Sequence, residues 1–183
     1  GIITGFARIN GYSVGILAND SNFYAGSMSA DGAKKTARFV RTCDTFNIPI
    51  VSLVDEPGFL IGPEAESQAT ILYGTEAVLA VTESTVPWST VMIRKSFGVA
   101  AAAHYGPDGY VLAWPSAESG PLPLEGGVAV AFKKEIESAK DPEAKRKEIE
   151  QKMSKNQNPF PRAESFSVHE IIDPRKTRFY LSN

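Results

Sequence analysis

Metal-binding clusters, disulfide pairs and an excess of either charge are what this sequence does without. Its one cysteine, Cys43, excludes an internal disulfide. It falls on the apolar side of a helical pattern and reads as packing rather than as a nucleophile. The two histidines, His104 and His169, have no second ligand at HxxxH or similar spacing, so no metal site is indicated. The formal net charge is −2, which removes the electrostatic case for nucleic acid. The only cationic density, Lys133-Lys134 and Lys145-Arg146-Lys147, is interleaved with glutamate and reads as a solvated helix face. No apolar run reaches membrane-spanning length and no signal peptide is visible. A cytoplasmic location is expected, or the mitochondrial matrix in a eukaryote. There is no Walker loop, no G-x-G-x-x-G and no G-x-S-x-G elbow. An initiator Met is missing too: the chain opens Gly1-Ile2-Ile3-Thr4, as would a processed product, a tag remnant or an excised part of something longer.

What is present is an ordinary globular composition, 43% hydrophobic and 22% charged over 183 residues, enough for one domain spanning 1–183. Two β-rich runs, Ile2 to Ile9 and Tyr12 to Leu17, flank Asn10-Gly11, the strongest two-residue hairpin signal. Ser29 or Asp31 is placed to cap a helix running to about Phe46, which Asn47 stops. Ile48 to Val54 is a strand apolar enough to be covered on both faces. Glu64 to Thr85 reads as one long helix with Ala65, Ala69, Leu72, Ala77, Leu79 and Ala80 buried. Trp88 to Ile93 and Tyr110 to Trp114 read as further strands, and Ser116 to Pro123 as a loop. Helices are expected over Val128 to Glu137 and, with Asp141 as cap and Pro142 at the first position, on to about Lys155. Ser165 to Ile172 reads as a short helix and strand, and Arg175 to Asn183 as a tail. Strands alternating with helices predict an α/β fold with largely parallel pairing after the hairpin.

Chemistry is concentrated at two strand-to-turn junctions. At the first, a β-rich run leads through Arg94-Lys95-Ser96-Phe97 into Gly98 and five small or compact residues, Val99 to Ala103. The first N–H groups of a helix lack intrahelical partners, and two of them can hold an oxygen that becomes negative during a reaction. At the second, Asp55-Glu56-Pro57-Gly58-Phe59 follows a strand, where α/β folds place ligands. The carboxyls are candidates for acid or base work, and the N–H groups of Gly58 and Phe59 for a second anion cradle. The local pattern does not separate an oxyanion site from a buried turn with alanines packed on a neighbour.

Taken in order, these segments resemble the C-terminal domain of the carboxyltransferase (beta) subunit of biotin-dependent acyl-CoA carboxylases, the propionyl-CoA and methylcrotonyl-CoA type. The similarity runs from Gly5-Phe6-Ala7-Arg8-Ile9-Asn10-Gly11 through Asp55-Glu56-Pro57-Gly58-Phe59, a D-x-P-G-F motif. It continues through Arg94-Lys95-Ser96-Phe97-Gly98, Ala113-Trp114-Pro115-Ser116-Ala117-Glu118 and Asn158-Pro159-Phe160 to Ile171-Ile172-Asp173-Pro174-Arg175-Lys176-Thr177-Arg178. The resemblance implies a crotonase-like fold of ββα units wound into a superhelix. It implies transfer of CO2 from carboxybiotin to the α-carbon of an acyl-CoA, with the biotin ureido oxygen held by backbone N–H groups. Here those would be Val99 and Ala100 as catalytic donors, with Gly58, Phe59 and Gly98 completing the cofactor site and Ala101 and Ala102 in the substrate pocket. The implied partners are an acyl-CoA-binding N-terminal domain, absent from this chain, a biotin carboxyl carrier, biotin carboxylase and further copies in a homo-oligomer. The chain alone is therefore expected to be catalytically incomplete.

Three departures from the family pattern stand out. Gly98-Val99-Ala100 replaces the usual Gly-Gly-Ala, putting a β-branched side chain beside the cofactor. Ala101 and Ala102 replace an aromatic residue and a specificity-setting one, leaving room for a bulkier acyl group. Ser119 to Gly127 is longer and richer in proline and glycine. The alternatives are a biotin-independent acyl-CoA decarboxylase, hydratase or hydrolase of the same fold, using Asp55, Glu56 or Glu118, and a non-catalytic assembly domain.

Overall fold

Strand β1 (Ile2–Ile9) turns directly into β2 (Tyr12–Asn19), with Ile9 opposite Tyr12 in an antiparallel ladder. Asn10 (φ 49°) and Gly11 (φ 88°) both lie in the left-handed region, as a two-residue hairpin turn requires. The structure, a computed structural model, describes residues 1–182. Helix α1 (Ala30–Thr45) starts where Ser29 Oγ accepts the Gly32 N–H at 3.2 Å. It stops at Asn47, whose φ of 54° leaves the helical region. Its buried face carries Ala33, Ala37, Val40 and Cys43.

Strand β3 (Ile50–Glu56) lies parallel to β2 and runs two residues further than its apolar stretch, taking Asp55 and Glu56 into the sheet. The long helix expected over residues 64–85 is two: α2 (Pro63–Ser67) and α3 (Thr70–Thr82), with Ala69 left-handed between them. The Thr70 hydroxyl donates to the Ala65 carbonyl at 2.8 Å, taking the acceptor that a continuing helix would use. The break turns the buried face of α3 to Gly74, Ala77, Ala80 and Val81, and leaves Leu72 and Leu79 exposed instead of buried.

Strand β4 (Trp88–Phe97) lies parallel to β3 and continues four residues past Ile93. Helix α4 (Gly98–Ala102) follows, then β5 (Tyr110–Ala113), parallel to β4. The loop expected over residues 116–123 contains β6 (Glu118–Gly120), which pairs with Lys95–Phe97 and keeps that charged end of β4 extended. Next come α5 (Leu124–Ala131) and α6 (Lys133–Glu137), separated at Phe132 rather than fused from Val128. Helix α7 (Pro142–Ser154) begins as expected, with Asp141 Oδ1 accepting the Ala144 N–H at 3.0 Å. The last helical turn before the final strand falls at α8 (Phe160–Glu164), ahead of the expected position, and just before it Asn158 Oδ1 accepts the Phe160 N–H at 3.1 Å. Strand β7 (Glu170–Ile171) pairs parallel with β5, and the expected tail holds α9 (Thr177–Leu181).

The described residues thus form one seven-stranded sheet, ordered β1-β2-β3-β4-β5-β7 with β6 beside β4, parallel after the hairpin. Helices α1 and α3 cover the hairpin side over a core containing Leu17, Met28, Val40, Ile50, Ala77 and Val81. A second core joins Val91, Leu112 and Ile172.

Candidate functional site

Because β3 and β4 are parallel neighbours, their C-terminal ends reach the same edge of the sheet, where α/β folds bind ligands. The register shifts between Val54, opposite Met92, and Glu56, opposite Ser96. Asp55 and Glu56 are neighbours in the strand, so their side chains leave it on opposite faces.

Asp55 reaches β4. Its oxygens accept Arg94 Nε at 3.0 and 3.1 Å and the Lys95 N–H at 3.1 Å, while Arg94 Nη2 stands 2.9 Å away. Glu56 turns inward and is fully buried. Its Oε1 accepts the Gly58 N–H at 3.0 Å and the Met28 N–H at 3.2 Å; its Oε2 accepts Asn19 Nδ2 at 2.9 Å. Both carboxyls are therefore engaged in holding backbone. Neither lines the pocket beside them, nor does Glu118. This corrects two expectations: Asp55 and Glu56 are not free acid or base groups, and the Gly58 N–H is not a free donor. The Phe59 N–H has no acceptor among the described residues.

At the other junction Gly98 has φ +63°, a conformation L-residues adopt rarely. A Cβ there would stand 3.3 Å from the Pro121 carbonyl oxygen, so glycine also allows the close approach of the 121–123 segment. The N–H groups of Gly98, Val99 and Ala100 precede the first intrahelical bond of α4. This helix has only five residues, too few for a substantial macrodipole, so the donors act as individual N–H groups. Val99 is 68% exposed, and Ala100 is buried.

An open pocket of about 790 Å³ connects the two junctions. Its lining includes Pro57, Gly58 and Phe59 from one junction, Gly98, Val99 and Ala100 from the other, and Pro121, Leu122 and Pro123, which approach Gly98. Ile71 of α3 and Val130 of α5 also line it, and no charged side chain does so among the described residues. Five expected site residues, Gly58, Phe59, Gly98, Val99 and Ala100, are thus brought together. Ala101 and Ala102 are not among the lining residues: Ala101 is buried in the fold and Ala102 is exposed outside the pocket. The wall at 121–123 was missed as a binding element, although its Pro-x-Pro pattern after Gly120 is a rigid-turn signal. It is held from a distance by Gln157, whose Nε2 donates to the Leu122 carbonyl at 3.0 Å and whose own carbonyl accepts the Ser119 N–H at 2.8 Å.

The mostly parallel α/β sheet, with backbone N–H groups beside a pocket that no charged side chain lines among the described residues, has the crotonase-like fold. Comparison with known proteins makes the assignment narrower. The carboxyl transferase domain family matches residues 1–183, and the chain belongs to it. It is 42% identical over 182 residues to the propionyl-CoA carboxylase carboxyltransferase subunit of Haloferax mediterranei, covering 97% of this chain and 35% of that one. It is also 42% identical to the methylmalonyl-CoA carboxyltransferase 12S subunit of Propionibacterium freudenreichii subsp. shermanii, covering 97% and 34%. Among solved structures, transcarboxylase 12S with methylmalonyl-coenzyme A and methylmalonic acid bound superimposes with a TM-score of 0.89. That match has 41% identity and covers 99% of this chain and 36% of that one. The chain thus spans about a third of the length of these relatives. No helix among the described residues is long and apolar enough to cross a membrane.

Proposed function

We propose that this chain is the biotin-facing part of a carboxyltransferase that moves a carboxyl group between biotin and the α-carbon of an acyl-CoA. One observation carries the reading: two parallel strand ends bring the N–H groups of Phe59, Val99 and Ala100, without acceptors among the described residues, to one largely apolar pocket that no described charged side chain lines. A neutral bicycle with a single strong acceptor oxygen fits such a donor set. Bound there, biotin supplies the nitrogen that carries the carboxyl group.

The chain's own residues have three tasks. The Val99 and Ala100 N–H groups hold the ureido oxygen where negative charge develops; each such donor is worth about 3–4 kcal/mol to a transition state. Phe59, Ile71 and Leu122 give the pocket apolar surface that a bound ring would cover, and displacing water there would strengthen those hydrogen bonds. Val99, with its side chain in the pocket, sets the width available to the ring. We assign pocket size to Val99 rather than to Ala101 and Ala102. The acyl-CoA is bound by a separate domain, and carboxyl delivery requires a biotin carboxyl carrier and biotin carboxylase, in an assembly of several copies. Asp55 and Glu56 are hydrogen-bonded to backbone and line no part of the pocket, and no other carboxyl among the described residues lines it, which favours this reading over a biotin-independent lyase or hydrolase.

The test is decarboxylation of malonyl-CoA and methylmalonyl-CoA with and without free biotin, on residues 1–183 and on the full-length protein. Biotin-stimulated activity is expected only in the full-length protein, and Val99→Gly there should raise it several-fold. Biotin-independent turnover by residues 1–183 would overturn the reading.

A further inference from the structure

The reaction above makes no use of the most deeply buried polar pair in the fold. Glu56 and His104 are both 0% exposed. The His104 ring is fixed from several sides. Its backbone closes the turn after α4, with its N–H on the Ala101 carbonyl at 3.0 Å. Its own carbonyl accepts Trp88 Nε1 at 2.9 Å and Thr90 Oγ1 at 2.8 Å. Its Nδ1 lies 2.9 Å from Ser52 Oγ. If the Ser52 hydroxyl donates, the ring proton sits on Nε2, a tautomer assigned here from the network. Nε2 has no hydrogen-bond partner and faces Glu56 Oε2 at 3.7 Å. Buried polar atoms without partners are rare enough to require an explanation.

Ser52, His104 and Glu56 have the composition of a hydrolytic triad. All three are at 0% exposure, so no substrate reaches the serine, and that role is excluded. The explanation lies in what each residue holds. Glu56 grips the Gly58 N–H of the 57–59 turn and the Met28 N–H; His104 ends the turn that begins with Val99 and Ala100. The D-x-P-G-F motif does not call for a carboxyl at its second position.

We propose that Glu56 and His104 form a buried latch between the 57–59 turn and the Gly98–Ala102 helix, fixing the spacing between the Phe59 donor and the Val99 and Ala100 donors. Both are positioning residues, since neither lines the pocket. His104 acts only through Glu56. The proposal rests on reading the pocket as the biotin site.

The experiment compares Glu56→Met, Glu56→Gln, His104→Met and the Glu56→Met/His104→Met double variant in the full-length protein. Glu56→Met should raise KM for free biotin at least tenfold and leave KM for the acyl-CoA within twofold. Glu56→Gln keeps an acceptor oxygen for Gly58 but turns an NH2 group toward Asn19 Nδ2 and His104 Nε2, so it should raise KM for free biotin by less than Glu56→Met does but more than threefold. The double variant should be no worse than Glu56→Met, because the histidine works through the carboxyl. Additive effects, or equal rises in both KM values, would overturn the latch. Amide exchange in segment 56–60 provides a readout independent of catalysis: it should quicken at least tenfold in Glu56→Met and His104→Met. Unchanged exchange overturns the latch even if the enzyme is active. If wild type shows no biotin stimulation, the pocket assignment fails, while the exchange measurement still decides whether the latch exists.

Discussion

A hydrogen atom on Gly74 decides where Phe59 stands. A Cβ at that position would overlap the Phe59 ring, so the ring rests on bare backbone of α3. Glycine in a helix interior costs about 1 kcal/mol relative to alanine, so Gly74→Ala gains propensity while overpacking the contact. Phe59 has the open pocket on its other side and can yield in that direction. Gly74→Ala is expected to change Tm by no more than about 3 °C and to raise KM for biotin at least fivefold, measured by melting and by steady-state kinetics. A Tm loss with unchanged KM would show that the ring does not move into the pocket. Cys43 makes the opposite case, a reactive group silenced by packing. Its sulfur fills the space left by Gly15, and burial pushes the thiol up to about 11. The folded value lies above the unfolded one of about 8.5. The stability it contributes is therefore complete below that unfolded value and is lost as pH rises toward 11. A thiol reagent at pH 8 should find well under one equivalent in the native protein and one equivalent in guanidinium.

Elements formed where a few neighbouring residues carried the whole instruction. The hairpin at Asn10-Gly11, the Ser29 cap, the Asn47 stop and the Asp141-Pro142 start are local, and all were legible. The break at Ala69 was not, because the competing bond, from the Thr70 hydroxyl to the Ala65 carbonyl, leaves no mark on hydrophobic periodicity. Strand β6 was hidden for a related reason: a strand of three residues exists only because Lys95–Phe97 offers it an edge. Between elements, Asp44 near the end of α1 holds the turn after α3. Its Oδ1 accepts the Thr85 N–H at 2.6 Å and the Thr85 hydroxyl at 3.0 Å. The Thr85 backbone bond is the main reason its carboxyl titrates below the ordinary value. A depressed folded value stabilises the protein above the unfolded pKa of about 3.9 and loses that stabilisation as pH falls through the folded value. Asp44→Ala should cost about 1 kcal/mol at pH 7 in chemical denaturation, and the gap from wild type should shrink below pH 4. A gap independent of pH would mean that the hydroxyl and backbone contacts contribute without the charge.

Across the whole molecule, the pocket is assembled from segments around residues 57, 99 and 122, and its upkeep is more distributed still. Gln157 holds the 121–123 wall, and Asn19 holds Glu56, each from another part of the chain. The sequence by itself determined the alternation of strands and helices, the glycine turn at residue 98 and an ordered series of motifs sufficient to place the chain in its family. Those are properties of backbone conformation and short-range capping, settled within a few residues. The tertiary structure alone decided that Asp55 and Glu56 are hydrogen-bonded to backbone and line no part of the pocket, that the Gly58 N–H is engaged by Glu56, and that Ala101 and Ala102 are not among the residues lining it. The reason is physical: whether a carboxyl is free depends on the donors that reach it. For these two residues, donors from Met28 and Lys95 lie 28 and 40 positions away along the chain and meet them only when the parallel sheet closes.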